Sequence, residues 1–367
     1  RLGQIDDIIR RTSERGALPE QPLLANILRL GIAQLLFMDV PDHAAVDTMV
    51  TLAENNGLSR QNGFVNAVLR HVGRDGKDWL TKQDPARLNT PEWLMKIWIA
   101  DYGLRGAADI AQTHLSEAAL DFTLKNPDQS ERWAKDLNAG VLPTGNLRRA
   151  EGGDVRNLAG FDDGAWWVQD AAAAMPAKLF GDVRGRTVVD LCAAPGGKTA
   201  QLAASGANVV ALDRSVKRLE RLTENLRRVG LESVVQTIVA DASVWQPLEL
   251  YDFVLLDAPC SASGIARRRP DVKWLRRAAD VAQFARTQER MLEALWQTLA
   301  SGGKLLYATC SVFGEENSET VARFLERHRD AARVILPAVD NDGELPAGQL
   351  LPDERHDGFF YALLQKS

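Results

Sequence analysis

The sequence has few of the residues that build disulfide frameworks or metal sites. Its 367 residues include only three cysteines and five histidines. The cysteines are Cys192, Cys260 and Cys310, and such an odd, widely spaced set indicates reduced thiols in an intracellular protein rather than disulfide bonds. No histidine stands at zinc-ligand spacing from a cysteine, so we expect no metal site.

A long apolar run and an excess of positive charge are also missing. No segment approaches the roughly 20 apolar residues of a membrane-spanning helix, and 44 Lys+Arg against 49 Asp+Glu give a formal charge of −5. The chain therefore has no protein-wide positive field that would attract nucleic acid. We expect a cytoplasmic, monomeric protein with two or three domains of roughly 100–200 residues each. Because the chain begins at Arg1 rather than Met, we also expect some N-terminal sequence to be missing.

The first third of the chain has a helical pattern. Apolar residues recur at helix-like intervals through residues 1–115, without the alternation that is typical of a strand. A helix is predicted over residues 44–54, and the polar, glycine-containing stretch 71–90 looks like a linker. We therefore predict an all-α domain over residues 1–75 and a helical linker over residues 76–120.

A small α+β domain is predicted next, over residues 121–165. Residues 122–125 alternate like a strand, residues 128–137 suit a short helix, and residues 147–150 suit a return strand. The tandem tryptophans at 166–167 are expected to pack in a core rather than to stack on a base, because large aromatic side chains more often contribute to packing.

Strands and helices alternate from residue 166 to the end of the chain. Between the predicted strands lie amphipathic helices such as residues 216–229. This alternation predicts an α/β, Rossmann-like domain over residues 166–367, in which helices cover both faces of a parallel sheet. A last, antiparallel strand is predicted near residues 359–364. The predicted parallel strands are residues 187–190, 208–213, 234–241, 251–257 and 304–309.

A glycine-rich turn follows the first of these strands. Small residues and free backbone N–H groups between a strand and a helix let a ligand approach the main chain. One interpretation is a phosphate-binding P-loop, because Gly197, Lys198 and Thr199 match its end, although Cys192 stands where its first glycine belongs. A magnesium-binding strand at residues 253–257 would then complete an NTPase. The turn consists of Cys192, Ala193, Ala194, Pro195, Gly196, Gly197 and Lys198.

The other interpretation is a cofactor that contains a nucleoside, and it rests on aspartates at strand ends. Asp190, Asp213, Asp241 and Asp257 end four successive predicted strands. Because the carboxyl ends of parallel strands meet at one edge of a sheet, we expect all four to face the ligand crevice. Carboxylates suit ribose hydroxyls, an adenine amine and a cationic centre, and they repel a triphosphate. S-adenosylmethionine carries these groups, so we favour it as the cofactor.

Two cysteines follow neighbouring strands of the same predicted sheet. Cys260 comes just after the fourth strand and Cys310 just after the fifth. Methyl transfer to an amine or a hydroxyl needs no thiol. Carbon-5 of a pyrimidine, in contrast, becomes nucleophilic only after a thiolate has added to carbon-6. One thiol could attack, the other could assist elimination, and Asp257 could stabilise the charge on the ring. The residues alone leave the roles of the two cysteines interchangeable.

Together these motifs resemble the Nop2/Sun family of RNA cytosine-5 methyltransferases. The resemblance implies a class I S-adenosylmethionine-dependent methyltransferase domain, with Cys310 as the nucleophile and Cys260 as the residue that helps to release the product. It also implies that the glycine-rich turn, together with Asp213, Asp241 and Asp257, contacts the cofactor. The residues that carry the resemblance are 169–170, 190–199, 213, 241, 257–264, 269–271, 309–311 and 356–360.

A basic cluster after Cys260 is the predicted RNA contact. Residues 267–277 hold six basic residues and one acidic residue, with Trp274 between them. Arginines would meet backbone phosphates, and a base could stack on an aromatic or guanidinium plane. The residues expected to bind RNA are Arg267, Arg268, Arg269 and Lys273.

The other parts of the chain also resemble RNA-binding domains. The small α+β domain resembles the ferredoxin-like insertion of the Nop2/Sun family. The helical N-terminus resembles the NusB-like domain of a bacterial branch, and this implies that the substrate is a cytidine of 16S, small-subunit ribosomal RNA. Two alternatives remain. One is a non-catalytic RNA-binding or assembly factor with a vestigial cofactor site, and the other is a P-loop NTPase.

Overall fold

The computed structural model describes residues 1–13, 15–150, 152–336 and 348–367. The chain divides into two compact units. One contains Arg1–Ile99 and Leu104–Leu115, and the other contains Ala100–Gly103 and Ser116–Ser367. Among the helices of the described ranges, none combines the length and apolar character that crossing a bilayer requires.

Helices form the N-terminal unit, as the spacing of apolar residues predicts. Ile8, Leu28, Ile32 and Leu69 are fully buried in one core, which excludes water from the apolar stripe of each helix. The second helix begins with a proline, whose fixed φ angle suits a first helical position. The helices are α1 (Leu2–Thr12), α2 (Pro22–Phe37), α3 (Asp42–Asn55), α4 (Asn62–Leu80), α5 (Pro85–Leu88) and α6 (Glu92–Thr113).

The predicted linker is wrong over residues 71–80, because α4 continues to Leu80. Val72 is fully buried on the core side of the helix. A Cβ atom at Gly76 would come 3.1 Å from the side chain of Leu36 in α2. Glycine therefore permits a close approach of two helices here, and it does not mark a break in the chain.

Four antiparallel strands form the small sheet, in the order β2-β3-β1-β4. This is the strand order of a ferredoxin-like β-α-β-β-α-β unit. In the described part of the segment between β3 and β4, helical structure is limited to one short turn, Val155–Asn157. The elements are β1 (Leu120–Leu124), α7 (Ser130–Asp136), β2 (Gly140–Val141), β3 (Leu147–Arg149) and β4 (Trp166–Val168).

The predicted boundary at residue 165 is too early, because β4 completes the small sheet. Trp166 is fully buried, and its ring meets Phe122 edge-on with ring centroids 4.6 Å apart. Trp167 is buried in the core of the following domain. Both tryptophans therefore pack in cores, as predicted.

The large sheet has the order β10-β12-β9-β8-β5-β6-β7, with β11 also paired to β12. The strands from β5 to β9 are parallel, and β12 runs antiparallel to β9. This confirms the Rossmann-like fold with a final antiparallel strand. Its elements are α8 (Met175–Leu179), β5 (Thr187–Leu191), α9 (Gly197–Ala204), β6 (Asn208–Asp213), α10 (Val216–Arg228), β7 (Val235–Val239), β8 (Tyr251–Asp257), α11 (Val272–Leu275), α12 (Ala278–Trp296), β9 (Leu299–Thr309), α13 (Ser318–Arg327), β10 (Ala331–Val334), β11 (Gln349–Leu350) and β12 (Phe359–Lys366).

Helices cover both faces of the large sheet, so ligands reach it at its edge. Val188 packs on the face that carries α8, α9 and α10, whereas its neighbour Val189 packs on the face that carries α12 and α13. The strand order reverses between β5 and β8, which are adjacent in the sheet. In open α/β sheets, a crevice opens at such a point, beyond the carboxyl ends of the strands.

The N-terminal core provides a test of the fold with a matched control on one helix. We expect Leu28→Ala to destabilise the protein by about 2–5 kcal/mol, because it leaves a cavity at a fully buried position. Leu30→Ala, in the same helix but half exposed, should change stability by less than about 0.5 kcal/mol. Urea unfolding followed by circular dichroism measures both. Equal effects of the two substitutions would contradict this helix orientation.

Candidate active site

A cavity of about 470 Å³ lies at the carboxyl ends of the central parallel strands. Its volume is in the range of small-molecule and cofactor sites. The sequence-predicted residues that the structure brings together in its lining are Cys192, Ala194, Asp213, Asp241, Asp257, Cys260 and Cys310.

The glycine-rich turn shapes one end of this cavity. Gly196 has a φ angle of 103°, in the left-handed region, and α9 begins at the next residue. A Cβ atom at Gly196 would also lie 2.9 Å from the side chain of Leu222, so only glycine fits there. Cys192 and Ala194 reach the cavity lining from this turn. The other predicted turn residues, which support the turn from outside the lining, are Ala193, Pro195, Gly196, Gly197 and Lys198.

Asp190 does not face the crevice, so its predicted place is wrong. The residue is fully buried, and Oδ2 accepts a hydrogen bond of 2.6 Å from Thr199 Oγ1. Burial raises the pKa of Asp190 to about 7. The strand places this side chain on the inner side of the turn, where it ties β5 to the start of α9.

Asp213 and Asp241 line the cavity as predicted. Asp213 accepts hydrogen bonds from the backbone N–H groups of Ser215 at 3.0 Å and Ala194 at 3.4 Å, so its carboxylate connects the end of β6 to the glycine-rich turn. The hydroxyl and backbone N–H of Ser243 both bond to Asp241 and lower its pKa. Both carboxylates are therefore held in place in the cavity lining as acceptors for ligand hydroxyl or amino groups.

Lys198 is committed to an ion pair inside the protein. Its Nζ atom lies 2.7 Å from Oδ2 of Asp257. Burial alone would lower the pKa of Lys198, but the carboxylates of Asp257 and Asp190 outweigh it and raise the pKa. A P-loop lysine must instead reach a nucleotide phosphate. Neither this ion pair nor the acidic lining supports the NTPase alternative.

The two predicted catalytic cysteines are in contact. Sγ of Cys260 and Sγ of Cys310 lie 3.4 Å apart at the cavity. The hydrogen bond to Cys310, together with burial, raises the pKa of Cys260 well above the usual value of a thiol. The raised pKa favours the protonated form of Cys260, and this thiol can donate to the sulfur of Cys310.

Cys192 lines the same cavity but has a different character. Burial and the nearby aspartates raise the pKa of Cys192 to about 12, so its thiol stays neutral. This leaves the contacting pair as the candidates for thiol chemistry among the three cysteines.

A buried carboxylate beneath the pair escaped the sequence analysis. Glu316 is fully buried and accepts hydrogen bonds of 2.5 Å from the hydroxyls of Ser261 and Ser311, the residues that directly follow the two cysteines. Its other oxygen accepts bonds from Ser261 N at 2.8 Å and from Gln288 Nε2 at 3.1 Å. The sequence signal was weak, since an acidic residue six positions after a cysteine has many ordinary explanations.

The structure buries the side chains of two predicted RNA contacts, Arg267 and Lys273, and engages a third, Arg268, in ion pairs within the protein. Arg267 is buried and pairs with Asp357, and Arg268 also pairs with Asp357 at 2.5 Å. Arg268 bonds Asp170 at 2.8 Å as well. Lys273 is buried too. Arginine side chains that balance buried carboxylates do not reach an external phosphate.

Arg269 is the remaining member of the predicted set, and its side chain is 63% exposed. In the described ranges, no group of three His, Cys, Asp or Glu side chains is arranged to hold a metal ion.

Comparisons with known proteins identify the family. Residues 179–365 match the model of the 16S rRNA methyltransferase RsmB/F family, and residues 1–74 match the NusB family. Ribosomal RNA small subunit methyltransferase B of Vibrio cholerae is 37% identical, over 100% of this chain and 86% of that protein. This chain belongs to the RsmB/F methyltransferase family. The Nop2/Sun resemblance and the NusB-like N-terminal fold are thereby confirmed.

Solved structures agree with this membership of the RsmB/F family. The crystal structure of PH0851 covers 99% of this chain and 87% of its own, with a TM-score of 0.83 and 26% identity. NSun6 from Pyrococcus horikoshii, solved with SFG, covers 75% of this chain and 98% of its own, with a TM-score of 0.65 and 19% identity, and shows the fold alone.

Membership of the RsmB/F family makes the chain an S-adenosylmethionine-dependent ribosomal RNA methyltransferase. The cavity fits this cofactor, because Asp213 and Asp241 offer carboxylate oxygens to ribose hydroxyls and an adenine amine. Asp257 adds a third carboxylate to the lining that also contains Cys260 and Cys310, and an acidic lining suits a sulfonium centre. When bound, the cofactor supplies an electrophilic methyl group.

Asp190 gives the cavity region a pH signature. Its pKa is raised from 3.8 to about 7, so the folded protein binds more protons than the unfolded chain between these values. Stability from this residue therefore falls as pH rises through that window. When the pH is raised from about 5 to about 8, we expect the melting temperature of Asp190→Asn to fall less than that of the parent protein.

Thermal unfolding by calorimetry at several pH values measures this difference. Asp128→Asn removes an exposed carboxylate and serves as the control, with a pH dependence like that of the parent. Parallel curves for Asp190→Asn and the parent protein would show that Asp190 does not retain its proton.

Proposed function

We propose that this RsmB/F methyltransferase methylates carbon-5 of a cytidine in 16S ribosomal RNA through a covalent adduct with Cys310. The observation that carries the proposal is the 3.4 Å contact between Cys310 and Cys260 in the cofactor cavity. Transfer to a nitrogen or an oxygen of RNA would use a lone pair directly and would need neither thiol. Transfer to carbon-5 needs one thiol to activate the ring and a second group to restore it.

In the first step, the Cys310 thiolate adds to carbon-6 of the cytosine and forms a carbon–sulfur bond. The electron pair of the former double bond then makes carbon-5 a nucleophile, to which bound S-adenosylmethionine would supply its methyl group and leave as S-adenosylhomocysteine. As the sulfur adds, the ring nitrogen next to the exocyclic amine gains a proton, and the Asp257 carboxylate is proposed to accept a hydrogen bond from that N–H group. This carboxylate pairs with Lys198 and lines the cavity that also contains both sulfurs.

In the second step, the carbon-5 proton passes to solvent, and the electron pair of the broken carbon–hydrogen bond re-forms the ring double bond. The bond between Cys310 and carbon-6 then breaks, and its electron pair returns to the sulfur. Cys260 is proposed to assist this release, because its raised pKa favours a thiol that can donate a proton to the departing sulfur in contact with it. The raised pKa of Cys260 favours this role over that of the attacking thiolate. These observations support Cys310 as the nucleophile and Cys260 as the residue that assists release.

The substrate part of the proposal rests on relatives. The curated relatives from Vibrio cholerae and Escherichia coli, at 37% and 36% identity, are named ribosomal RNA small subunit methyltransferase B. The NusB-like N-terminal domain supports an RNA substrate as well. Such a substrate also supports the expected location in the cytoplasm.

Replacing Cys310 and replacing Cys260 should have opposite effects on the amount of covalent adduct. Cys310→Ala should form no covalent complex with RNA, because carbon-6 has lost its nucleophile. Cys260→Ala should accumulate the complex, because release is slowed. Denaturing gel electrophoresis with labelled small-subunit ribosomal RNA and S-adenosylmethionine measures both variants.

The double variant that lacks both sulfurs is the control, and it should behave like Cys310→Ala. An adduct formed by Cys310→Ala would reverse the assigned roles.

Bisulfite sequencing of ribosomal RNA, with and without the gene, tests the substrate. An unchanged pattern of 5-methylcytosine, with cofactor binding absent in calorimetry, would favour the non-catalytic RNA-binding alternative.

The exposed part of the basic cluster is the proposed RNA surface. Trp274 is 39% exposed, and Arg269 and Arg277 are exposed on either side of it in sequence. Arg276 Nε donates to the backbone carbonyl of Ser261 at 3.3 Å, so this segment lies against the loop that carries Cys260. Exposed arginines and an aromatic ring beside the cavity suit phosphates and an unstacked base.

Replacing both exposed arginines should weaken RNA binding in a salt-dependent way. We expect the variant Arg269→Ala with Arg277→Ala to lower the slope of log affinity against log salt by about 1 for each lost phosphate contact. Arg184→Ala, an exposed arginine before the amino end of β5, is the matched control and should keep the parent slope. Fluorescence anisotropy at several salt concentrations measures the slopes. A parent-like slope in the double variant would exclude this surface.

A further inference from the structure

The buried carboxylate of Glu316 connects the two loops that carry the proposed catalytic cysteines. Oε2 accepts hydrogen bonds of 2.5 Å from Ser261 Oγ and from Ser311 Oγ. The two hydroxyl oxygens also lie 3.2 Å from each other. A single oxygen atom of Glu316 therefore holds Ser261, which follows Cys260, close to Ser311, which follows Cys310.

The second oxygen of this carboxylate anchors the arrangement to the rest of the domain. Oε1 accepts bonds from the backbone N–H of Ser261 and from the side-chain amide of Gln288 in α12. The same amide donates to the carbonyl of Pro259 at 3.0 Å, directly before Cys260. The Cys260 loop is therefore held on both sides of its sulfur.

The Cys310 loop is held in a similar way by the residue after Glu316. Asn317 accepts a 2.6 Å bond from Thr309 Oγ1 and donates a 2.9 Å bond to the carbonyl of Ser311. The backbone N–H of Gly264, from the first loop, donates to the carbonyl of Cys310 at 2.9 Å. Both loops thus converge on the segment that contains Glu316.

The chemistry of this carboxylate argues against a role in packing alone. Each of its hydrogen bonds comes from an uncharged group, and burial raises its pKa although the serine hydroxyls oppose that shift. A buried carboxyl without an ion-pair partner costs stability that an apolar side chain would not. Its negative charge also contributes to the raised pKa of Cys260.

We propose that Glu316 is a positioning residue that holds the loops of Cys260 and Cys310 together so that both sulfurs reach the same substrate carbon. It touches neither substrate nor cofactor and acts through Ser261 and Ser311. The proposal rests on the proposed covalent mechanism for its effect on methylation. Its effect on the distance between the sulfurs is independent of that mechanism.

The first measurement is methylation of small-subunit ribosomal RNA. Glu316→Ala should lower kcat by about 100-fold, since a displacement of about 1 Å at a reacting group has an effect of that size. The KM for RNA and the Kd for S-adenosylmethionine should stay at parent values, because neither ligand touches this residue. Glu316→Gln should restore most of the activity, since its amide can still bond both hydroxyls. Glu315→Ala, an adjacent glutamate outside this network, is the matched control.

The second measurement reports the distance between the sulfurs without RNA. Diamide takes two electrons and two protons from a pair of thiols and leaves a disulfide, at a rate that depends on their contact. The Cys260–Cys310 disulfide, detected by peptide mass spectrometry, should form quickly in the parent, Glu316→Gln and Glu315→Ala proteins, and slowly in Glu316→Ala. If Glu316→Ala does not fold, the variant Ser261→Ala with Ser311→Ala takes its place, with the same expected losses.

The outcomes separate the two proposals. Slow disulfide formation in Glu316→Ala, with no RNA methylation even by the parent, would support the positioning role and reject the proposed function. Parent-like kcat and disulfide rate in Glu316→Ala would overturn the positioning role. Loss of activity in Glu316→Gln as large as in Glu316→Ala would overturn it as well, because the charge and not the geometry would then matter.

Discussion

The parallel pairing of β8 with β9 is the constraint on which the site depends. Asp257 lies beside Ala308 in this pairing, so Cys260 and Cys310 follow three and two residues after neighbouring points of the sheet. Adjacent strands are about 4.8 Å apart, and the two loops therefore start within reach of each other. The sheet brings the cysteines near, and the hydrogen bonds of Glu316 bring their sulfurs into contact. The geometry proposed for catalysis therefore depends on strand register as much as on the loops themselves.

Charge is divided between two tasks in this protein. The chain is acidic overall, and its cavity is lined by Asp213, Asp241 and Asp257, which suit a cationic cofactor. The basic residues after Cys260 have two different roles. Arg267 and Arg268 neutralise buried carboxylates, whereas Arg269 remains exposed. Net charge alone therefore says little about an RNA substrate, because the proposed RNA contacts are the few arginines that the fold leaves on the surface.

The sequence predicts the parts of the site that depend on local pattern. Strands buried on both faces read as continuous apolar runs, and a glycine turn with aspartates at strand ends indicates a nucleoside site wherever it occurs. Partners that are distant in sequence are a different matter. Arg267 looks like a surface residue until Asp357, 90 positions later, is seen beside it. Gly76 looks like a break until Leu36 is seen against it. The sequence does not single out Glu316, and it predicts the wrong place for Asp190. Both have the same cause, since burial is decided by the packing of other elements.

The buried charges around Arg268 have a consequence for protein engineering. Arg268 bonds Asp170 and Asp357, and it also donates to the carbonyl of Ala119 at the start of the small sheet. In that sheet, Asp121 of β1 pairs with Arg148 and accepts a hydrogen bond from the backbone N–H of Ala171, three residues after β4. Hydrogen bonds and ion pairs therefore connect the small sheet to the segment that follows Cys260. The small sheet therefore cannot be exchanged as an independent unit. A replacement taken from a relative would have to keep both the carboxylates and the arginines that pair with them, or it would leave buried carboxylates without their cations.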